Sequence, residues 1–231
     1  MSKITKSSTA EYFAKNLQQV GFSSPTKAVL TTLKEAVDNS LDACEMGGVL
    51  PEISIEIQKI GSGSSKNTDL IKIVVEDNGP GIEPEDLAKV FGEYLASSKF
   101  GRGRCSRGQQ GIGISAATTW AQLTNASGAK VLSKTSKMRK AIRGVVEVDI
   151  KTNTGVLKNK ETVDWDKKAH GLRVEFVIDG RIQLNGDGGL LTYLEGTTLV
   201  NPHLTLEYKL LDNEPVRQDR VSNELPHIPE A

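Results

Sequence analysis

The segment from Ser24 to Gly48 restricts the fold more than any other part of this chain. It begins with Ser24-Pro25, a helix N-cap followed by proline at the first helical position, and ends with Gly47-Gly48, a helix stop signal. Apolar residues recur at helical spacing between these ends: Val29, Leu30, Leu33, Val37 and Leu41. The pattern predicts a long amphipathic helix that packs its apolar stripe on a second layer of structure.

The same helix carries a polar stripe. Glu35, Asn39 and Asp42 are separated by four and three residues, so they lie on one helical face about one turn apart. Burying such groups unpaired costs roughly 1–7 kcal/mol each, which makes them poor core material. They suit a solvated helix face, or a site that holds a hydrated metal ion and polarises a water molecule.

Strand patterns dominate the rest of the chain. Residues 53–57 alternate strictly, and further strands are predicted at 71–76, 129–135, 142–150, 173–178 and 204–208. Additional helices are predicted at 83–94, from about 111 through 121 and at 190–199, with a turn at 61–65 and a long Ser-, Arg- and Gly-rich loop at 96–110. We expect an α+β fold, a two-layer sandwich of a mixed, mostly antiparallel sheet with helices on one face.

Composition favours a water-soluble domain. Lys and Arg number 29, as do Asp and Glu, so the net charge is +0 and binding to nucleic acid or membrane would need a local patch. No apolar run reaches the roughly 18–20 residues that span a bilayer, and no signal peptide opens the chain, so we expect a cytoplasmic protein. The two cysteines and three histidines lack metal-ligand spacing, and neither zinc nor a disulfide framework is expected. We divide the chain into a polar arm (1–20), a domain (21–222) and a linker (223–231).

Asp77 ends a predicted strand and points toward its apolar face. Alternate residues of this strand share that face: Ile71, Ile73, Val75 and Asp77. The sequence Asn78-Gly79-Pro80-Gly81 follows, and its glycines allow backbone to approach a ligand closely. A buried carboxylate needs a partner, which the amine of a nucleobase can supply. An ordinary Asp-Asn-Gly turn explains the same residues.

A glycine-rich sequence, Gly108-Gln-Gln-Gly111-Ile-Gly113, opens the helix predicted near residue 111. Glycines at a helix start expose backbone N–H groups beside the positive end of the helix dipole, which suits phosphate. The sequence is neither a Walker A loop nor a dinucleotide fingerprint. Arg102, Arg104 and Arg107 precede it, adding positive charge or forming a solvated loop. Taken together with the polar stripe and Asp77, it indicates a nucleotide site.

These three stretches resemble the main motifs of the GHKL ATPases, the group of gyrase, Hsp90, histidine kinases and MutL. The longer strings EAVDNSLDA, VEDNGPGI and SRGQQGIGISAA resemble the B subunits of archaeal-type (type IIB) DNA topoisomerase VI more specifically. The likeness covers most of the chain, including Val200-Asn-Pro-His203 and the final Leu-Pro-His. It implies the GHKL, or Bergerat, ATPase fold for residues 21–222.

The resemblance also implies a role for each matching position. Glu35 would be the general base that activates the attacking water, and Asn39 the Mg²⁺ ligand. Asp77 would accept the adenine amine, with Gly81 beside the base. The remaining implied nucleotide contacts, near the lid and around the phosphates, are Ser98, Lys99, Gly108, Gln109, Gln110, Gly111, Ile112, Gly113, Ile114 and Ser115.

A family member of this kind binds and hydrolyses ATP with Mg²⁺. The resemblance implies an ATP-dependent homodimer, with residues 1–20 as a strap that crosses to the partner and 223–231 leading toward a downstream domain. The pair would gate passage of one double-stranded DNA through a break made by the A subunit, in an A2B2 assembly at the nucleoid. The family's γ-phosphate lysine lies in a later transducer domain, so the isolated domain would be slow.

Two features leave alternatives open. The family has Gly-Thr after the histidine of its last ATP motif, whereas this chain has His170-Gly171-Leu172, and leucine cannot make the threonine's hydrogen bond. A nucleotide-dependent dimerisation switch without topoisomerase activity is therefore the second hypothesis. A histidine-kinase or Hsp90-like module is a third, which the string SRGQQGIG disfavours. The basic stretch 134–143 fits either DNA contact or a charged hairpin in water.

Overall fold

The computed structural model describes residues 8–95, 107 and 112–226. Its helices are α1 (Thr9–Lys15), α2 (Pro25–Met46), α3 (Pro84–Gly92), α4 (Gly113–Asn125) and α5 (Leu190–Val200), with a 3₁₀ turn at Leu17–Val20. Its strands are β1 (Glu52–Ser62), β2 (Asp69–Asp77), β3 (Ala129–Lys134), β4 (Ala141–Asp149), β5 (Thr154–Val163), β6 (Gly171–Gly180), β7 (Thr205–Leu210) and β8 (Val216–Gln218). None of the described helices is long and apolar enough to cross a membrane.

The strands form one sheet in the order β5-β4-β3-β6-β2-β1-β7-β8. β1 and β7 run parallel, and the other neighbouring pairs are antiparallel. β2 lies between β1 and β6, so Asp77 at its end pairs with Ile53 on one side and Leu172 on the other. The predicted mixed, mostly antiparallel sheet is confirmed.

The long helix α2 packs its apolar stripe on the centre of this sheet. It contacts β2 and β6, while α3 contacts β4 and β5, and α4 contacts β6 and β4. Val29, Leu33, Val37 and Leu41 of the stripe are buried in the core. Burial of this stripe holds α2 against the sheet and leaves its polar stripe on a different face. The predicted α+β two-layer sandwich is confirmed.

Three strands differ from the prediction. The three-residue edge strand β8 is absent from it. β5 is the other edge strand, which pairs with β4 alone among the described residues, and most of its side chains are exposed. It therefore lacks the apolar alternation that marks a half-buried strand, and the sequence does not predict it. β1 continues to Ser62 through a bulge, because pairing with Asp69 extends the β1–β2 hairpin into the predicted turn at 61–65.

Part of the predicted N-terminal arm belongs to the domain. Ser8 caps α1 by accepting a hydrogen bond from the N–H of Glu11 at 3.0 Å. Ala10 is fully buried, and the ring of Phe13 stacks on Tyr94 with 5.1 Å between ring centres. Residues 8–20 are therefore packed on the domain rather than extended as an arm: Ala10 and Leu17 are buried in the core, and Phe13 and Val20 pack against it. The strap predicted for residues 1–20 stays a prediction for residues 1–7, which lie outside the described residues, and so does the linker at 223–231.

Candidate functional site

Asp77 is buried at the end of β2, with 1% of its surface exposed. Its Oδ2 accepts a hydrogen bond from Ser40 Oγ at 2.7 Å. Its Oδ1 accepts from the backbone N–H groups of Gly79 at 2.9 Å and Leu172 at 3.3 Å. Burial raises the pKa of Asp77, and these three hydrogen bonds oppose the rise. A carboxylate has about four acceptor positions, so one position remains on the Oδ2 side.

The turn after Asp77 is held tightly against neighbouring strands. Gly81 has φ +73°, and a Cβ at this position would overlap the backbone carbonyl of Lys134. Only glycine fits such a backbone. On the other side of the turn, His170 Nδ1 donates to the carbonyl oxygen of Gly79 at 2.7 Å. The turn is therefore a rigid wall beside Asp77.

A cavity of about 310 Å³ opens next to Asp77. Its lining residues are Asn39, Ala43, Met46, Gly47, Asp77, Pro80, Gly81, Ile82, Val90, Phe91 and Leu172. Apolar walls with few polar side chains, here Asn39 and Asp77, are the usual composition of a small-molecule site. The cavity fits a flat aromatic ring that carries a hydrogen-bond donor toward Asp77.

Leu172 contributes to this cavity in two ways. Its side chain forms part of the apolar wall, and its backbone N–H donates to Asp77. Leucine in place of the threonine expected from the resemblance therefore leaves the cavity wall without a hydroxyl at this position. The backbone N–H of Leu172 still donates its hydrogen bond to Asp77.

Glu35 and Asn39 lie one turn apart on α2, and both are half-buried. The carboxylate of Glu35 lies against Gly113, the first residue of α4, where a Cβ would overlap Glu35 Oε2. Ala116 is the first residue of α4 whose N–H bonds back to the preceding turn, to the Ile112 carbonyl at 2.9 Å. The N–H groups of 113–115 have no acceptor within the helix, so Glu35 lies beside the positive helix end that suits phosphate.

The predicted contacts around α4 differ in what they can offer a ligand. Ile112 and Ile114 are buried, and Ser115 Oγ donates to the carbonyl of Glu93 at 2.8 Å. Any nucleotide contact by these residues must therefore come from their backbone. The other predicted contacts lie outside the described residues: Ser98, Lys99, Gly108, Gln109, Gln110 and Gly111.

Ser40 and His170 are site residues that the sequence analysis did not assign. Ser40 lies seven residues after Leu33 on the apolar stripe of α2, and 4% of its surface is exposed. A hydroxyl on such a stripe signals a buried hydrogen bond, because an unpaired one is costly. His170 offers no comparable signal, since its contact with Gly79 joins residues 91 positions apart.

The basic stretch 134–143 forms the β3–β4 hairpin, and its charge is partly neutralised. Arg143 pairs with Glu161 at 2.5 Å, and Lys140 pairs with Asp164 at 2.9 Å. All four side chains are more than half exposed. These pairs favour the charged hairpin in water over a DNA contact.

A family model described as Histidine kinase-, DNA gyrase B-, and HSP90-like ATPase matches residues 26–176. The chain belongs to this ATPase family. The match contains Glu35, Asn39, Asp77 and the start of α4, so the cavity beside Asp77 lies within the family's nucleotide-binding fold.

Curated relatives of this ATPase domain are type 2 DNA topoisomerase 6 B subunits. The protein of Archaeoglobus fulgidus is 40% identical over 97% of the chain, and that of Methanococcoides burtonii is 41% identical over 95%. The chain spans 36% and 34% of these two relatives, about a third of their length.

Solved structures show the same fold. The ATPase and transducer domains of DNA topoisomerase II from Balamuthia mandrillaris match with a TM-score of 0.62, 14% identity and coverage of 94% of this chain and 61% of that one. The ATPase region of Saccharomyces cerevisiae topoisomerase II gives a TM-score of 0.60, with 14% identity and coverage of 94% and 62%. The predicted GHKL ATPase fold is confirmed.

Proposed function

We propose that this chain is the ATP-binding and ATP-hydrolysing domain of the B subunit of a type IIB DNA topoisomerase. The observation that carries the proposal is the buried carboxylate of Asp77, fixed by three donors and facing an apolar cavity. This geometry suits the amine of adenine, which donates a hydrogen bond, and opposes a carbonyl at the same position.

The hydrolytic step is assigned to the polar stripe of α2. Glu35 acts as general base on the attacking water, and the backbone N–H groups at the start of α4 bind phosphate oxygens. Positioning and electrostatics account for most of the catalysis in phosphoryl transfer, so the close packing of Glu35 on Gly113 supports this assignment.

Asn39 is the proposed Mg²⁺ ligand. Asn39 borders the cavity, and Mg²⁺ in nucleotide sites keeps several waters while taking only one or two protein ligands beside the phosphates. A single amide on α2 fits this requirement. When bound, Mg²⁺ would offset phosphate charge.

The larger assembly is also a proposal. ATP drives homodimerisation, for which the predicted N-terminal strap is a candidate contact, and the dimer joins the A subunit in an A2B2 assembly. The dimer then gates passage of one DNA duplex through the double-strand break made by the A subunit. High identity to the B subunits of two archaea supports this role.

The second candidate is a nucleotide-dependent dimerisation switch without topoisomerase activity, which the apolar wall at Leu172 motivates. An assay that combines the full-length protein with the A subunit and supercoiled DNA distinguishes the two candidate functions. ATP-dependent relaxation supports the topoisomerase. Dimerisation without relaxation supports the switch.

Titration with ATP and Mg²⁺, read out by sedimentation, tests the shared part of both candidates. We expect a shift from monomer to dimer with ATP or a nonhydrolysable analogue, and none with GTP. A monomer under every condition would contradict both.

A further inference from the structure

The peptide unit between Gly79 and Pro80 belongs to the wall beside Asp77. Pro80 lines the cavity, and its ring packs on Gly47 just past the end of α2, where a Cβ would come within 3.1 Å of Pro80 Cδ. Proline has no backbone N–H, so this peptide unit offers one hydrogen-bonding group alone, the carbonyl of Gly79. Glycine adds wide conformational freedom to the same unit. The position of the wall therefore depends on what binds that carbonyl.

The imidazole of His170 binds the Gly79 carbonyl. The distance from Nδ1 to the carbonyl oxygen is 2.7 Å. A carbonyl oxygen can only accept, so Nδ1 carries the proton in this contact, in the neutral ring as well as in the charged one. The backbone N–H of Gly79 donates to Asp77 Oδ1 at 2.9 Å. A single residue thus links the imidazole to the carboxylate that faces the cavity.

The chain on both sides of His170 is braced against neighbouring strands. Gly171 has φ +152°, and a Cβ there would overlap the backbone carbonyl of Asp77. Before His170, the carbonyl of Lys168 accepts a hydrogen bond from Lys134 Nζ at 3.0 Å. These contacts set the imidazole at a defined place beside the end of β2.

The other end of the turn is held without His170. Ser133 on β3 is fully buried, and its Oγ donates to the carbonyl of Ile82 at 2.7 Å while accepting from the N–H of Ile82 at 2.8 Å. The contact from His170 to Gly79 is therefore the one that holds the near end of the turn. Its loss releases that end while Ile82 stays in place.

We propose that His170 is a positioning residue for base recognition, which fixes the Gly79–Pro80 peptide unit and through it the orientation of Asp77 and the apolar wall. The inference rests on the proposed ATPase function, whose base-reading group is Asp77. The proposed phosphate contacts come from the start of α4, which lies against Glu35. His170 therefore affects the choice of base and leaves the binding of the triphosphate unchanged.

The test measures the affinities of the whole chain, with Mg²⁺, for three ligands by calorimetry: ATP, inorganic tripolyphosphate, and inosine triphosphate (ITP), which carries a carbonyl where ATP has the amine. His170→Ala removes the donor, so we expect ATP to bind about tenfold more weakly. The preference for ATP over ITP should shrink by about threefold or more, because Asp77 is less well oriented. Tripolyphosphate affinity should stay within about twofold.

His170→Asn and His170→Gln form a matched pair of variants. The amide nitrogen of asparagine is as many bonds from Cα as Nδ1 is, whereas that of glutamine is one bond farther, like Nε2. We expect His170→Asn to restore ATP affinity to within about threefold of the unaltered protein, and His170→Gln to resemble His170→Ala. A neutral amide suffices because the contact requires a donor and no charge.

Turnover gives an independent measurement. In the full-length protein assembled with the A subunit, His170→Ala should raise KM for ATP while kcat stays within about twofold, because the lost interaction contributes equally to substrate and transition state. A histidine that acted on the hydrolytic step would lower kcat instead, and that result would contradict the assignment.

Three further results would overturn the inference. They are full ATP affinity and base preference in folded His170→Ala, equal rescue by His170→Asn and His170→Gln, and a parallel loss of ATP and tripolyphosphate affinity, which would mean that the histidine only stabilises the fold. If His170→Ala does not fold, the comparison of the two amide variants decides, since both keep a polar side chain. Failure of the proposed function is recognised separately, because the unaltered protein itself would then not bind ATP.

Discussion

The carboxylate of Glu35 on α2 lies directly against Gly113, the first residue of α4, with no room for a Cβ between them. Gly113→Ala therefore displaces the carboxylate of Glu35, which is the far end of a flexible side chain, so the displacement costs little stability. We expect the variant to lose ATP turnover while its free energy of unfolding changes little, measured by phosphate release and urea unfolding.

Gly196 in α5 provides the matched control. A Cβ there meets nothing within 4 Å, so Gly196→Ala should raise stability by about 0.5–1 kcal/mol through reduced helix entropy cost. Equal ATP turnover by the two variants would show that the contact between Glu35 and Gly113 does not affect hydrolysis.

Asp77→Asn should weaken or reverse the preference of the site for ATP over ITP. The carboxamide can still accept from Gly79 and Leu172, but it turns an N–H toward the cavity in place of an acceptor. We expect ATP affinity to fall by about 1.5–3 kcal/mol and the preference for ATP over ITP to shrink or reverse, measured by calorimetry. Retention of the full preference for ATP would exclude Asp77 as the base-reading group.

The raised pKa of Asp77 predicts a specific dependence of stability on pH. Because the folded protein holds this proton more tightly than the unfolded chain does, the contribution of Asp77 is greatest at low pH and is lost as pH rises through the folded pKa, above 3.8. As pH rises through this range, the unaltered protein should lose about 1.4 kcal/mol of unfolding free energy, relative to Asp77→Asn, for each unit by which the folded pKa of Asp77 exceeds its unfolded pKa. Urea unfolding at a series of pH values measures this difference. Parallel curves for the two proteins would mean that burial does not perturb Asp77.

Tyr193→Phe tests a buried group on α5. The hydroxyl of Tyr193 is buried without a hydrogen bond of normal geometry within the described part of the chain; burial, followed by the charge of Asp38, raises its pKa, and a weak interaction with Thr197 opposes the rise. Removing an unsatisfied hydroxyl relieves part of a penalty of about 1–3 kcal/mol. We expect thermal unfolding to show equal or greater stability without nucleotide. A clear loss would indicate a partner for this hydroxyl.

The sequence predicts the parts of the fold that depend on periodicity. Helix α2 and the central strand β2 have strong patterns because each buries one full face. The edge strand β5 has none, since most of its side chains meet water. Residues 8–20 appear polar as a segment, yet Ala10 and Leu17 are buried in the core and Phe13 and Val20 pack against it. The segment is divided between α1 and a short 3₁₀ turn, so each piece is too short for a helical period to be recognised in the sequence.

The site residues likewise differ in whether the local sequence predicts them. Glu35, Asn39 and Asp77 carry local signals of spacing and strand parity, and the cavity brings Asn39 and Asp77 together as the sequence indicates. Arg107 meets Asp42 across 65 positions and Asn201 across 94. Such contacts arise from tertiary packing, so no local pattern predicts them.

Glu35→Ala provides the most direct test of the central claim, that α2 supplies the hydrolytic base of an ATP site. The measurement is ATP binding and ATP turnover by the full-length variant assembled with the A subunit. The account predicts that the dissociation constant for ATP stays within about threefold, while turnover falls at least about a hundredfold. Undiminished hydrolysis by this variant would contradict the account.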